Sequence, residues 1–439
     1  MAPSGRMKSV ALSLIVISIL LRAAFFLSPT YYAEENISVA MALSIESGAS
    51  PYADFFHAHP PLHLFLLAVF RQVSGLEPIL SAKLLSLLLS VLMVFFIWRL
   101  GGPFSAAIFS CAFPSFYWFS FSLPLVPLSL FLLAAYFSER RLGGGAAFLL
   151  FSICAFLSEF SAATLIFPML LFSGRLKSPG EKIRAAAVAA SVLGIAFLLL
   201  SLPTGGKFLG QAAFSQLSGR FASTPLGASV AENLSQYFLW IFIYSAPLFA
   251  LSLFSGDRKP LALSLFSGAI LVLALPGLSN NTLQFLVPFL SISAGGFRRK
   301  SALPAVSIAL AALSIFLLFR AGLFSPATPA LDRIVSAAEA SAEPGLGEIW
   351  GTPEAILVSI KTGIPVASRF FDTTPFSVAE QGAPPRPDLL VISSYYYESR
   401  IYGSLEDYQL VFSSREPIVG EIGVYKRKNL KTGAGAADR

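Results

Sequence analysis

The chain has 439 residues, of which 55% are hydrophobic and only 13% charged, with 41 phenylalanines and a formal net charge of +7. A soluble domain carries roughly a quarter charged residues, so this composition excludes an ordinary water-soluble enzyme and makes lipid the solvent. The positive charge does not indicate nucleic acid, because 20 of the 31 Lys and Arg precede residue 323, mostly in short loops between apolar runs, where they orient membrane segments.

In chain order, the apolar runs predict spans at roughly 9–28, 78–98, 102–119, 122–138, 143–157, 159–173, 184–203, 234–254, 260–276, 281–296 and 301–322, eleven in all. Arg6 and Lys8 precede a first run that is longer than a signal-peptide core, so it reads as an uncleaved span. Beyond about Ser325 the composition turns polar, and 14 of the 24 acidic residues lie after residue 322. The tail alternates apolar runs (Ile356–Ile360, Leu389–Ser393, Ile422–Tyr425) with turns and a Thr352-Pro353-Glu354 helix start, which predicts a small α/β domain. The predicted organisation is a polytopic α-helical membrane module, 1–322, containing a first outside loop at 29–77, followed by an α/β domain at 323–439. Cys111 and Cys154 sit inside apolar runs and read as small buried hydrophobes.

Charge sets the orientation. Arg6, Lys8, Arg99, Arg140, Arg141, Arg175, Lys177, Lys182, Arg184, Arg258, Lys259, Arg298, Arg299 and Lys300 all fall on one side of the predicted topology, whereas the opposite loops before the tail hold only Arg71, Lys207 and Arg220. The first side is therefore cytoplasmic and the tail extracytoplasmic. The apolar stretch 61–74 reaches only about 21 Å as a helix, and counting it as a span would place the Arg140–Arg141 pair outside, so it is laid at the interface with a second short helix at 36–46.

The first outside loop concentrates chemistry. It holds five of the ten acidic residues before residue 323 (Glu34, Glu35, Glu46, Asp54 and Glu77) and all three histidines, His57, His59 and His63. Such clustering on one face of a lipid-embedded body points to a site. The order of its parts is Tyr31-Tyr32-Ala33-Glu34-Glu35, Glu46-Ser47-Gly48, Pro51-Tyr52-Ala53-Asp54-Phe55-Phe56 and His59-Pro60-Pro61-Leu62.

In this order the loop resembles that of the GT-C membrane glycosyltransferases, in the branch of protein O-mannosyltransferases and aminoarabinose transferases. The match is dense over about fifty residues and agrees in span count and topology over the rest. The resemblance implies transfer of a sugar from a polyprenyl-phosphate donor to a protein, lipid or glycan acceptor at the outer face, with inversion, and Glu34 aligned with the assisting carboxylate. Glu35 is then a supporting carboxylate or the alternative base. Two positions depart from the family pattern: Glu-Glu stands where Asp-Glu is usual, and Glu159 stands where a Lys is frequent. A departing lipid phosphate needs cations or hydrogen-bond donors, and His59, Lys207, Arg220 and Arg22 are the candidates. His57 is a further substrate contact, and Gln284 lies near where the family has a polar residue before an aromatic.

Bland alternatives stand beside these readings. The acidic pair suits a solvated helix start, Asp54 suits a turn as well as an acceptor contact, and Arg22 suits snorkelling as well as function. The histidines fit a metal site poorly, since Pro60 and Pro61 interrupt their spacing, and no cofactor is expected. A transporter or flippase, or an inactive GT-C-like subunit, is the rival function; a transporter would show internal repeats, and none is evident.

Overall fold

Leucine- and alanine-rich runs favour helix, and in lipid each backbone N–H must find its acceptor within the segment. In the computed structural model, which describes residues 5–27, 33–57, 59–142, 144–214, 226–274, 280–297, 300–320, 328–342, 348–367, 386–394, 404–416 and 420–428, the described residues of the expected spans are mainly helical. The first ten α-helices are α1 (Gly5–Leu27), α2 (Ala33–Glu46), α3 (Leu62–Ser74), α4 (Pro78–Gly101), α5 (Pro103–Cys111), α6 (Phe113–Trp118), α7 (Leu125–Phe137), α8 (Gly145–Ser158), α9 (Ala163–Leu171) and α10 (Pro179–Ser201). Helices at Leu226–Leu239, Ala246–Leu253, Lys259–Ala274, Val287–Gly295 and Leu303–Arg320 follow.

Among the described residues, α4 and α10 are each long and apolar enough to cross a membrane, and Val230–Tyr244 with Ala246–Leu253 forms a third crossing if this pair, bent by 81°, is one span. The remaining runs do not all meet that test among the described residues, so the count of eleven spans is carried by the sequence alone. Proline explains the breaks. Pro114 and Pro247 lie just inside the helices that follow the interruptions at Ala112 and Ser245, where a ring in a continuous helix would strike the carbonyl four residues earlier.

The chain divides into two compact units, Met1–Leu27 with Ala58–Ala321 and Ser28–His57 with Gly322–Arg439. In the first unit, small residues and hydroxyls join the helices. Gly295 packs so closely on α5 that an added Cβ would fall 2.0 Å from Ser105 Oγ, and that hydroxyl donates to Ile292 O at 3.2 Å. Ser252 Oγ donates to Leu290 O at 3.0 Å, and the buried Asn233 amide to Val272 O at 3.0 Å. Where lipid tails are as apolar as the side chains, such contacts hold helices together. They also make Asn233 a packing residue.

Several of the basic loops meet at one end of this unit. Arg140 pairs with Asp257 at 3.0 Å, Arg175 donates to Arg140 O at 3.1 Å, and Arg141 donates to Arg99 O at 3.5 Å. These belong to the set that the sequence placed on the cytoplasmic side.

The second unit contains a four-stranded sheet of β1 (Ile349–Gly351), β2 (Leu389–Ser393), β3 (Tyr408–Glu416) and β4 (Gly420–Arg427), in the order β1-β2-β4-β3. β1 and β2 are parallel and joined through the helix Pro353–Thr362, while β4 runs antiparallel to both β2 and β3. Gly351, at φ +146°, lies against Val391 O where no side chain fits. The loop's helix α2 belongs here as well: it packs on Pro353–Thr362, and Val39, Met41 and Ala42 on α2 are buried, as are Ala355, Ile356 and Val358. The sequence grouped all of 29–77 with the helical body; in the structure its first half folds with the tail.

Thr352 is a junction of this unit. Its hydroxyl accepts from Ser393 N at 2.9 Å and donates to the Glu354 carboxylate, and both side chains are fully buried. Burial pushes the Glu354 carboxyl up from its ordinary value. Thr352→Val keeps the shape but strands a buried N–H and a carboxyl oxygen, so a loss of about 2–3 kcal/mol is expected. Hydrogen exchange on the full chain checks this, with faster exchange at β2 in the variant.

Candidate functional site

The acidic pair opens α2. Because α2 begins at Ala33, both glutamates lie in its first turn, where unpaired backbone N–H groups and the helix dipole favour carboxylates. Successive helical residues point about 100° apart, and the pair is split accordingly: Glu34 is exposed whereas Glu35 is buried at 1% exposure. The neighbouring Asn36 is buried as well.

Four residues after α2 the chain makes a tight turn. The Asp54 carboxylate accepts from Ser50 N at 2.8 Å, so Asp54 serves the turn directly. Inside it Tyr52 has φ +68°, the left-handed region that a residue with a Cβ enters at a cost of about 1–3 kcal/mol. Tyr52 is buried and its ring lies 5.8 Å from that of buried His57. This strained tyrosine was not singled out from the sequence; the Pro51–Phe56 motif was its only signal.

The other two histidines belong to the first unit. His59 Nδ1 lies 2.8 Å from Glu159 Oε2, a contact spanning 100 positions, with the two side chains 41% and 22% exposed. Glu159 sits in extended backbone between α8 and the single turn Phe160–Ala162, which ends α8 and turns the carboxylate toward α3. His63, in the first turn of α3, is buried, with Nε2 3.1 Å from Ser122 Oγ. Among the described residues no three His, Cys, Asp or Glu side chains are placed to hold a metal ion.

Burial first, and His59 second, push His63 down to about 3. The unfolded chain takes up this proton near pH 6.5. Between these values the unfolded state binds more protons, so stability is lost as pH falls below about 6.5, at up to about 1.4 kcal/mol per pH unit. Thermal unfolding followed from pH 7 to pH 4 is expected to show this slope, and His63→Gln to flatten it.

Arg22 is 3% exposed on α1. Its Nη2 donates to Ser115 Oγ at 2.9 Å, and its guanidinium lies 5.3 Å from the ring centre of Phe116 and 5.9 Å from that of Phe109. The head is buried in protein rather than reaching toward water, as snorkelling requires. No carboxylate pairs with it among the described residues, and Nη1 has no hydrogen-bond partner there. Lys207 is exposed in the turn after α10, next to buried Phe208, which packs on Phe160 (6.0 Å between ring centres) and Phe197 (5.0 Å). That aromatic cluster brings the Lys207 turn to the segment carrying Glu159. Gln284 is fully buried in the turn Gln284–Leu286. Arg220 lies outside the described residues.

The comparisons with known proteins bear on the fold. The chain is similar to the crystal structure of ArnT from Cupriavidus metallidurans in the apo state, with a TM-score of 0.59 and 12% identity over 94% of this chain and 98% of that one. The fold is the GT-C fold. It is similar also to ArnT from the same organism bound to undecaprenyl phosphate, at a TM-score of 0.54 and 13% identity, over 95% of this chain and 97% of that one. No protein-family model matches the chain, and no curated protein does. At such identities the likeness establishes the scaffold, and function has to be argued from the side chains on it.

Proposed function

We propose that this chain is a multi-pass membrane glycosyltransferase that moves a sugar from a polyprenyl-phosphate carrier to an acceptor at the outer membrane face, with the N-terminus cytoplasmic and the tail domain extracytoplasmic. The observation that carries the reading is the split acidic pair: Glu34 is exposed in the first turn of α2 while Glu35 is buried. A base for an incoming hydroxyl has to be reachable, which selects Glu34 and leaves Glu35 a supporting role. The scaffold supports the donor class, since a protein of the same fold binds undecaprenyl phosphate.

The chemistry is a displacement at the anomeric carbon. The Glu34 carboxylate takes the proton of the acceptor hydroxyl while the oxygen forms its bond to carbon. The bond from that carbon to the phosphate oxygen breaks with oxocarbenium character, and the configuration inverts. The electron pair leaves on the lipid phosphate, which cations and N–H donors stabilise. His59, Lys207 and Arg22 are the described candidates for that task, with Gln284 and His57 as further substrate contacts. No cofactor takes part in this scheme.

The test uses purified protein in lipid with a panel of polyprenyl-phosphate sugars, with and without chelator, and reads sugar release and the anomeric configuration of the product. Consumption of one donor with inversion is the expected result. If no donor is consumed by folded protein, the reading is wrong and a transporter or an inactive subunit takes its place.

A further inference from the structure

A carboxylate at Glu159 looks out of place in a protein that must hold an anionic phosphate, and its partner resolves the difficulty. Glu159 Oε2 is 2.8 Å from His59 Nδ1. An ionised carboxylate only accepts hydrogen bonds, so the shared proton belongs to the imidazole: Nδ1 carries it and donates to Glu159. Holding Nδ1–H against the carboxylate fixes the ring plane, and in the imidazolium form Nε2 carries a proton as well. We propose that Glu159 is a positioning residue that holds His59 by Nδ1–H, so that Nε2–H is the group presented to the leaving phosphate of the lipid carrier. This rests on the transferase reading above and names how its phosphate is recognised.

Four features fit this role. A lone carboxylate would repel a phosphate, but paired with a protonated imidazole it makes a net-neutral dyad that still offers an N–H. His63, the nearby histidine on α3, is buried against Ser122 and stays neutral, so it does not compete for the Glu159 charge. The Lys207 turn is held to the same segment through Phe208, whose ring packs on that of Phe160 next to Glu159, and Lys207 itself is exposed. The pair is only part-buried, at 41% and 22% exposure, so a headgroup can approach it.

The experiment uses the full chain in bilayers. With three histidines in the protein, nitrogen-15 labelling of histidine gives a small set of ring signals, and His59→Asn assigns those of His59. Wild type is expected to show both ring nitrogens of His59 protonated, with Nδ1 hydrogen-bonded, and Glu159→Ala to lose that signature. Affinity for a polyprenyl phosphate without sugar is expected to fall roughly tenfold in Glu159→Ala. Glu159→Gln, whose amide oxygen still accepts from Nδ1–H, is expected to stay within about threefold of wild type. Adding His59→Asn to Glu159→Ala is expected to cost nothing beyond His59→Asn alone. The proposal is overturned if wild type shows either ring nitrogen of His59 unprotonated, a result that needs no variant to fold, or if Glu159→Ala binds the lipid phosphate as wild type does. If the His59 signature is present but wild type binds no polyprenyl phosphate, the transferase reading fails and not the geometry of the pair.

Discussion

Glu34→Gln is expected to slow sugar transfer by roughly a hundred- to ten-thousand-fold while leaving carrier binding and thermal stability near those of wild type, because it removes the general base and keeps the size of the side chain. Glutamine has the size and hydrogen-bonding reach of glutamate but cannot take a proton. Glu34 is exposed, so the exchange disturbs no packed surface. Glu35→Gln should behave differently: the side chain is buried at 1% exposure, and its loss should act through the placement of α2, with a change in stability beside any change in rate. Single-turnover transfer and a thermal melt on each variant separate the two. Equal rates for Glu34→Gln and wild type would remove Glu34 from the chemistry. Equal loss from both variants, with stability intact, would point to a shared base.

Replacing Arg22 by Met is expected to raise thermal stability while weakening binding of the lipid phosphate by tenfold or more. The guanidinium is buried with one hydrogen bond, to Ser115, and two aromatic faces, and no carboxylate pairs with it among the described residues. A buried cation without an anion costs several kcal/mol. A charge-assisted hydrogen bond returns roughly 1.5–3 kcal/mol, and each ring face about 1–2 kcal/mol when desolvated. Methionine has a similar unbranched reach and packs well against Phe109 and Phe116. If the charge is kept to meet an anion, stability and binding should therefore move in opposite directions, as they do at sites that sacrifice stability for function. A variant that is less stable and binds the carrier unchanged would make Arg22 a packing residue. Arg22→Lys sharpens the test, since an ammonium keeps the charge but loses the planar stacking.

Much of the architecture was legible in the sequence because its causes are local. Apolar runs became helices, Pro114 and Pro247 marked the interruptions, and the tail's strand at Leu389–Ser393 lies where its apolar run predicted. The charge asymmetry likewise anticipated loops that meet at one end, through Arg140, Asp257 and Arg175. Hydrophobic periodicity, proline sterics and loop charge act over a few residues, and a sequence displays them directly.

The candidate site was legible only as a cluster of residue types in one loop. Which glutamate faces outward depends on the start of α2 and on what covers its other side, and that cover is the helix Pro353–Thr362, some three hundred residues away. Glu159 read as a misplaced charge until the turn after α8 brought it to His59, and Asp54, open as an acceptor contact, is seen to hold the Ser50 amide. The left-handed backbone of Tyr52 has no signature in composition at all. The sequence by itself determined the lipid-embedded helical class and gathered the candidate groups in one loop. The tertiary structure decided which carboxylate is exposed, which histidine meets Glu159 and which arginine is buried, because those depend on contacts between segments distant along the chain.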